Sequence, residues 1–297
     1  MDDHRELIRT LASIDLATRI AVEGDQAGHH RSLFRGQGIE FAEIREYVPG
    51  DDVRAIDWKV SARYNRPFVK EYDEERDQTF YLVLDISGSG EFGSDVSKQR
   101  KITEVAAGLA FAAVRNNDRV GLLLISDRVE KFIPAKSGRK HLISLLNAII
   151  SHTPGSRKTD ISAAAVFLFR ILPRRCSIIM LSDFISPPFI RSLAILKRRH
   201  EVIAIRITDP CECELPNAGS IEIEDPETGE QLLIDTSDKE FRERYRTLVN
   251  ETDLRLKTEF SKNRIGNIRL STSEPYGPIL NRFFAGLRGG RNSGRIF

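Results

Sequence analysis

A short loop gathers one carboxylate and two hydroxyls within five residues. The loop, Asp-Ile-Ser-Gly-Ser at residues 85–89, follows a continuously apolar run at residues 80–84. An apolar run bounded by polar residues is typical of a strand buried on both faces. Hard divalent cations such as Mg²⁺ prefer oxygen ligands of this kind. The loop therefore indicates a metal site, although a strand-to-helix turn rich in Ser and Gly is also common in α/β proteins.

A dinucleotide site is an alternative for the same stretch. Gly88, Gly90 and Gly93 match the G-x-G-x-x-G pattern directly after the predicted strand. Against this, Asp85 would place a carboxylate near the pyrophosphate, and the polar residues that follow delay the helix expected at the glycines. The next acid at a strand end, Asp127, lies far beyond the spacing of ~20 residues that the pattern requires. We therefore favour the metal site.

Two more oxygen-bearing residues are predicted to reach the same edge of the sheet, because ligands gather at the carboxyl ends of strands in a doubly wound fold. Asp183 follows a predicted strand at 177–181, and Thr159 precedes a predicted helix at 160–171. Taken singly, Thr159 could be a helix N-cap and Asp183 could simply solvate a strand end. Taken with the loop, they predict one metal site whose ligands are Asp85, Ser87, Ser89, Thr159 and Asp183.

The elements that must position these residues alternate between strand and helix. Short apolar runs predict strands, and apolar residues at helical spacing predict helices between them. This alternation predicts an α/β fold with a Rossmann-like, doubly wound, mostly parallel sheet, interrupted by a hairpin insertion near 215–236. After residue 84 the predicted strands are 119–125, 129–134, 177–181, 201–207 and 267–270, and the predicted helices are 98–115, 139–150, 160–171, 189–199, 239–261 and 278–287.

The chain divides into three parts. Residues 1–77 combine an amphipathic helix near 5–22 with a charged arm. Because disordered segments lack aromatic anchors, we expect that arm to be folded against a neighbour, with Trp58 at least partly buried. Residues 78–272 form the predicted α/β domain, and residues 273–297 carry a short helix and a basic tail.

Composition bounds the class of protein. The formal net charge of the 297 residues is +2, so no global field argues for a nucleic-acid partner. The N-terminus, Met-Asp-Asp-His, lacks the apolar region of a secretory signal. No apolar stretch approaches the ~18 residues that span a bilayer. We therefore expect a cytoplasmic protein without a transmembrane segment.

The predicted ligand set, in its order along residues 78–272, resembles the metal-ion-dependent adhesion site of von Willebrand factor A-like domains. The preceding stretch at 38–63, GIEFAEIREYVPGDDVRAIDWKVSAR, is similar to the hallmark of the bacterial domain-of-unknown-function 58 family. With that stretch, the resemblance covers nearly the whole chain. It implies a Rossmann-like sheet holding one Mg²⁺ or Mn²⁺ ion. It also implies a partnership with MoxR-type AAA+ ATPases in assembling or activating protein complexes.

The donor types favour binding over catalysis. Three of the five predicted ligands are neutral hydroxyls, so a bound cation would stay electrophilic and could accept a carboxylate from a partner. Neither Ser87 nor Ser89 has a His close in sequence to form a nucleophile–base pair. We therefore predict a non-enzymatic, metal-dependent protein-interaction module. The alternative is a metal-dependent hydrolase or phosphatase that uses Asp85 and Asp183, and a dinucleotide-dependent oxidoreductase ranks below both.

Overall fold

The computed structural model of the chain describes residues 40–48, 51, 53–73, 78–225 and 227–283. The predicted helix near 5–22, the last residues of the predicted helix at 278–287 and the predicted basic tail at 289–297 lie outside these ranges. The described residues fall into two compact units, with the boundary between Gln78 and Thr79. The smaller unit comes first in the chain, and the larger one contains the predicted α/β domain.

The smaller unit is an antiparallel strand pair with a short helix. β1 (Glu40–Glu46) pairs with β2 (Phe68–Asp73), and α1 (Trp58–Tyr64) lies between them in the chain. The alternating sequence at 67–73 predicts a strand at the position of β2. Neither β1 nor α1 is predicted, because dense charge obscures the apolar pattern of both. The expected burial of Trp58 is wrong, since its side chain is 68% exposed and the buried position of α1 is Ser61.

The larger unit is built from strands that the sequence predicted as apolar runs. Such runs form where helices cover both faces of a parallel sheet and leave no strand face for water. Val83 and Leu84, for example, are 0% exposed. The remaining strands are β3 (Thr79–Asp85), β4 (Arg119–Ile125), β5 (Val129–Lys136), β6 (Ser177–Ser182), β7 (Glu201–Thr208), β8 (Ser220–Glu224), β9 (Gln231–Asp235) and β10 (Gly266–Ser271).

Among the described residues, six of these strands form one sheet in the order β10-β7-β6-β3-β4-β5. Neighbours are parallel except for β4 and β5, which pair antiparallel as a hairpin. In chain order the six strands therefore lie 6-5-4-1-2-3, the order of a doubly wound Rossmann-type sheet. The predicted fold class, an α/β protein with a mostly parallel sheet, is confirmed.

Helices cover the sheet on its two faces. A cluster of buried apolar residues on one face includes Leu168, Leu193 and Phe260, which belong to three different helices. On the other face, the two helices that follow β3 and β5 pack on each other and on β4. No helix among the described residues combines the length and apolarity needed to cross a membrane. The helices are α2 (Lys98–Arg115), α3 (Arg139–Ser151), α4 (Ile161–Ile171), α5 (Ile190–Arg199), α6 (Pro210–Cys213) and α7 (Lys239–Lys262), followed by a helical stretch at 276–283.

The hairpin of β8 and β9 stands apart from the main sheet. Its strands pair antiparallel with each other, within the range 215–236 where the sequence predicted an insertion. Leu232 and Leu233 are 63% and 72% exposed, so the hairpin adds little to the core. It joins the chain after α6 and before α7.

The strand order places a crevice between β3 and β6. β3 is the first strand of the sheet, and its two neighbours are the second and the fourth strands in chain order, β4 and β6. Chain connections therefore leave β3 and β6 in opposite directions. At such a switch point the carboxyl ends of the two strands are open to a ligand. Asp85 ends β3, and Asp183 directly follows the last residue of β6.

Candidate functional site

The two strand exits at the crevice are joined by a direct hydrogen bond. Ser182, the last residue of β6, donates its hydroxyl to Oδ2 of Asp85 at 2.6 Å. The same Ser182 oxygen accepts the backbone N–H of Phe184 at 2.9 Å. Asp85 is 3% exposed and Asp183 is 5% exposed. Both predicted carboxylates therefore lie buried at the switch point.

The loop after β3 brings two hydroxyls to the same place. The backbone N–H of Ser87 donates to Oδ1 of Asp85 at 3.0 Å, and the hydroxyl oxygens of Ser87 and Ser89 lie 3.1 Å apart. The next residue in the loop, Gly88, donates its N–H to the carbonyl of Arg157 at 2.9 Å. This last bond ties the loop to the segment that precedes Thr159.

Thr159 is not the N-cap of α4. The cap is Asp160, whose Oδ1 accepts the N–H of Ala163 at 3.0 Å. Thr159 is only 3% exposed, and its hydroxyl donates instead to Oε1 of Glu227 at 3.0 Å. The alternative explanation of Thr159 as a helix cap is therefore wrong, and its hydroxyl remains a candidate ligand. We call Asp85, Ser87, Ser89, Thr159 and Asp183 together the switch-point site.

Asp183 is neutralised by a lysine of the same chain, not by water. Its Oδ2 accepts from Nζ of Lys98 at 2.8 Å, and its Oδ1 accepts the N–H of Ile185 at 3.0 Å. The same ammonium group donates to Oε1 of Glu212 at 2.6 Å. Burial tends to lower the pKa of Lys98, but the charges of Asp183 and Glu212 outweigh burial and raise it. Lys98 therefore stays charged.

Among the residues that the structure describes, no cationic side chain pairs with Asp85, and the pKa of Asp85 shows the consequence. Its pKa is raised to about 6, first by burial and then by the negative charge of Asp183. The hydrogen bonds from Ser182 and Ser87 act in the opposite direction but do not cancel the rise. The switch-point site thus holds a buried carboxylate whose negative charge the chain leaves uncompensated.

The donor set fits a hard divalent cation. Among the described residues, no three His, Cys, Asp or Glu side chains are grouped as a metal site, so hydroxyl oxygens would have to complete one. The adjoining hydroxyls of Ser87 and Ser89 can serve, and a cation would relieve the charge of Asp85. Asp183 is the least available of the predicted ligands, because both of its oxygens already accept hydrogen bonds.

Within the stretch at 38–63, the described side chains organise backbone rather than a second site. Arg45 donates to both oxygens of Asp51, at 2.7 and 2.8 Å, and the N–H of Val48 donates to Oδ2 at 2.9 Å. The hydrogen bond from Arg45 is the main reason that the pKa of Asp51 is lowered to about 2. Asp57 caps α1 by accepting from two backbone N–H groups. These acids hold a turn and a helix end.

Comparison with known proteins places the chain. Residues 43–255 match the family described as "Protein of unknown function DUF58". The chain belongs to this family. Mb1516 of Mycobacterium bovis, whose name describes it as uncharacterized, is 33% identical over 231 residues, 76% of this chain and 73% of its own. YeaD of Bacillus subtilis, also named as uncharacterized, is 30% identical over 125 residues, 42% of this chain and 28% of its own. The predicted family is confirmed.

Solved structures resemble this DUF58 chain at low identity. BatB from Bacteroides thetaiotaomicron matches with a TM-score of 0.49 and 16% identity, over 71% of this chain and 99% of that one. The SpRpn10 VWA domain matches with a TM-score of 0.38 and 11% identity, over 70% of this chain and 94% of that one.

Sequence analysis missed four residues of this DUF58 site. Ser182 stands next to Asp183, and only the short bond to Asp85 reveals its part. Lys98 did carry a signal, because it lies at helical spacing with the buried face of α2. A lysine on an apolar face indicates a buried partner for its charge. Glu212, in α6, and Glu227, in the hairpin turn, carried no such signal, since both are distant in sequence from the residues that they contact.

The geometry also bears on the dinucleotide alternative. Gly88 and Gly90 lie in a 3-10 turn, and α2 begins only at Lys98, where Ser97 caps it. A pyrophosphate site of the Rossmann type needs the helix to open at the glycines, so that its N–H groups point at the ligand. The start of α2 and the glycine pattern are separate in this chain, which favours the metal over the dinucleotide.

Proposed function

We propose that this chain is a protein-interaction module in which the switch-point site binds one Mg²⁺ or Mn²⁺ ion and, through it, an acidic side chain of a partner protein. The observation that carries the proposal is Asp85. It is a buried carboxylate at a switch point whose pKa is raised to about 6 by burial and by Asp183. When bound, a divalent cation supplies the missing positive charge and an open position for an anionic ligand. Asp85, Ser87, Ser89 and Thr159 would hold it, with Asp183 positioned by Lys98.

We propose binding rather than catalysis because, among the described residues, no histidine is hydrogen-bonded to Ser87 or Ser89. Each of the three histidines in the described part of the chain contacts another group. Nε2 of His141 lies 2.7 Å from the carbonyl of Val120, and Nδ1 of His200 lies 3.3 Å from the thiol of Cys176. Nε2 of His152 lies 3.7 Å from Glu130. A nucleophilic serine needs a base within hydrogen-bond reach, and these contacts do not supply one to Ser87 or Ser89.

A cavity beside the site offers room for a partner segment. It has a volume of about 680 Å³ and lies between the loop after β3, the start of α2 and the end of α3. Ser87 and Gly88 line one side, and Arg100, His152 and Arg157 line the others. Arg157 pairs with Glu91 of the same lining at 2.9 Å, and Arg100 lies 3.6 Å from Glu104, so the cavity offers room for a segment rather than an excess of positive charge.

We further propose that the partner is a MoxR-type AAA+ ATPase and that the pair assembles or activates other protein complexes. The chain's membership of the DUF58 family supports this choice, because the resemblance drawn from the stretch at 38–63 implies such a partner. A partner driven by ATP would place the chain in the cytoplasm. Metal and partner must then strengthen each other's binding by the same factor, since linkage between two ligands is reciprocal.

Metal binding is tested first. Calorimetric titration with Mn²⁺ should show one ion per wild-type chain and at least about tenfold weaker binding to Asp85→Asn, because the uncompensated carboxylate is lost. Asp127→Asn is the matched control, since Asp127 is exposed and lies outside the site. Its titration should equal the wild type. If the wild type binds no ion, or if Asp85→Asn binds as well as the wild type, the proposed function is wrong.

Partner binding is tested second. The wild type and Asp85→Asn are used to capture the candidate ATPase, each with and without EDTA. The ATPase should be retained only by the wild type without EDTA. Equal retention in all four conditions would show that the switch-point site does not mediate the contact. Release of phosphate from a model phosphoester that depends on Asp85 would instead support the hydrolase alternative.

A further inference from the structure

The tip of the β8–β9 hairpin touches the switch-point site. Oε1 of Glu227, in the turn between the two strands, accepts the hydroxyl of Thr159 at 3.0 Å. Thr159 is 3% exposed, so Glu227 reaches a buried ligand of the site and not a surface hydroxyl. Through this contact, a carboxylate from the hairpin lies beside a predicted ligand that is distant from it in sequence.

The turn is built to hold Glu227 in place. Oδ1 of Asp225 accepts the backbone N–H groups of Glu227 and Thr228, at 2.8 and 3.4 Å. The N–H of Gly229 closes the turn onto the carbonyl of Asp225 at 2.7 Å, with Gly229 at a φ of +74°. Because most residues resist that left-handed conformation, glycine suits the position. The backbone beneath the Glu227 side chain is thus fixed by the turn.

The base of the hairpin is also fixed. Both the N–H and the hydroxyl of Thr236 donate to the carbonyl of Gly219, at 2.8 and 2.7 Å. The N–H of Ala218 donates to the Thr236 oxygen at 3.0 Å. Between this clamp and the tip, the strands are largely exposed. The hairpin therefore rests on the larger unit at its base, while its tip lies on the site.

The burial of Glu227 and the charges around it disfavour its ionised form. The pKa of Glu227 is raised, first by burial and also by the negative charges of Asp183 and Asp225. The hydrogen bond from Thr159 lowers it but does not offset the rise.

We propose that Glu227 is the internal acidic ligand of the switch-point site, occupying the position that a partner's carboxylate takes, so that a partner must displace the hairpin tip. The inference rests on the proposed function. It adds the regulation of that site by its own chain. In the isolated protein Glu227 would approach the metal from the side of Thr159. It would also compete with any incoming acid, because a tethered group acts at an effective concentration on the order of mM.

Two roles for Glu227 can be separated. A contact that only stabilises the hairpin would not respond to metal. An internal ligand would bind more firmly when the cation is present, and a soluble carboxylate would loosen it only in the presence of that cation. Glu227→Gln retains an oxygen that can accept from Thr159 but lacks the charge. Glu230→Gln, at an exposed position of the same turn, is the matched control.

The experiment measures Mn²⁺ affinity by calorimetry and amide hydrogen exchange over residues 220–235. Glu227→Gln should bind Mn²⁺ about tenfold more weakly than the wild type and Glu230→Gln, because one carboxylate is lost. Mn²⁺ should slow exchange in the hairpin of the wild type and of Glu230→Gln but not of Glu227→Gln. Excess acetate should restore fast exchange in the Mn²⁺-loaded wild type, whereas equal ionic strength of chloride should not.

The outcomes distinguish this inference from the proposed function. Mn²⁺ binding that depends on Asp85 but is unchanged in Glu227→Gln, with hairpin exchange insensitive to Mn²⁺, overturns the internal ligand alone. Absence of any Asp85-dependent Mn²⁺ binding overturns both. A rise in hairpin exchange in Glu227→Gln without metal, equal in size to the rise with metal, assigns Glu227 a structural role and also overturns the inference.

Discussion

Asp85 and Asp209 occupy equivalent places in the sheet. Asp85 ends β3 and Asp209 directly follows β7, so both are buried acids at strand exits on the carboxyl edge. Asp209 accepts four hydrogen bonds from described residues. The donors are the N–H and hydroxyl of Ser94, the hydroxyl of Thr272 and the N–H of Cys211, at 2.7 to 3.2 Å. Burial tends to raise the pKa of Asp209, but these donors outweigh it and lower the pKa.

Asp85 receives less from the chain. Its donors are the hydroxyl of Ser182 and the N–H and hydroxyl of Ser87, and a second carboxylate, Asp183, is close enough to raise its pKa. The two aspartates occupy similar places, but Asp209 accepts more hydrogen bonds from the chain than Asp85 does. A buried carboxylate whose charge is fully compensated by hydrogen bonds is explained by the fold, whereas one that is less well compensated is a candidate for function.

The largest effect is expected from replacing Lys98, whose ammonium group pairs with Asp183 but not with Asp85. Lys98→Met leaves Asp183 buried without its partner, so the free energy of unfolding should fall by about 3 to 5 kcal/mol. Urea unfolding of the metal-free protein measures it. Lys257→Met, at an exposed position of α7, is the control and should change stability by less than about 0.5 kcal/mol. A loss below about 1 kcal/mol at Lys98 would mean that Asp183 is not held by that ion pair.

A smaller effect is expected from pH. The folded-state pKa of Asp85, about 6, lies above its ordinary value of 3.8, so between these values the folded chain retains a proton that the unfolded chain has lost. Stability therefore falls as pH rises through this window, by up to about 3 kcal/mol for a shift of about two pKa units. The lowered pKa of Asp209 has the opposite sign, and its stabilisation is lost on acidification.

This pH effect is measured by urea unfolding of the metal-free wild type and of Asp85→Asn at a series of pH values. The variant cannot ionise at this position, so its advantage over the wild type should grow from about pH 4 to about pH 6 and stay constant above. Curves that remain parallel across the range would show that Asp85 is not the acid responsible.

The smallest effect is expected when Asp209, rather than Asp85, is replaced by Asn. Asp209→Asn turns an NH₂ group toward a hydrogen-bond donor, so the protein should lose about 2 kcal/mol at neutral pH. Asp85→Asn should not destabilise the metal-free protein, because the Ser182 hydroxyl can rotate to accept from the new amide. Thermal and urea unfolding compare the two variants directly. Equal tolerance at both positions would contradict the distinction drawn between the two acids.

The sheet could be predicted from the sequence because each central strand is buried on both faces and is therefore a continuous apolar run. The sequence also indicated Asp85 and Asp183, because parallel strands deliver their carboxyl ends to one edge. It could not indicate the partners of these acids. Lys98 meets Asp183 across 85 residues of chain and Glu212 across 114, and no local pattern encodes such pairings. Trp58 misled for a related reason, since an aromatic residue predicts burial only on average.

The clamp at Thr236 has a consequence for how this protein can change. Hydrogen bonds among Ala218, Gly219 and Thr236 hold the two ends of the hairpin together. The residues between these ends do not take part in the six-stranded sheet. Lengthening such an excursion is inexpensive, at about 0.6 kcal/mol for each doubling of its length. A hairpin of another length or tip sequence can therefore be grafted above the clamp without redesigning the core. The sequence of the hairpin tip and the stability of the core can therefore vary independently.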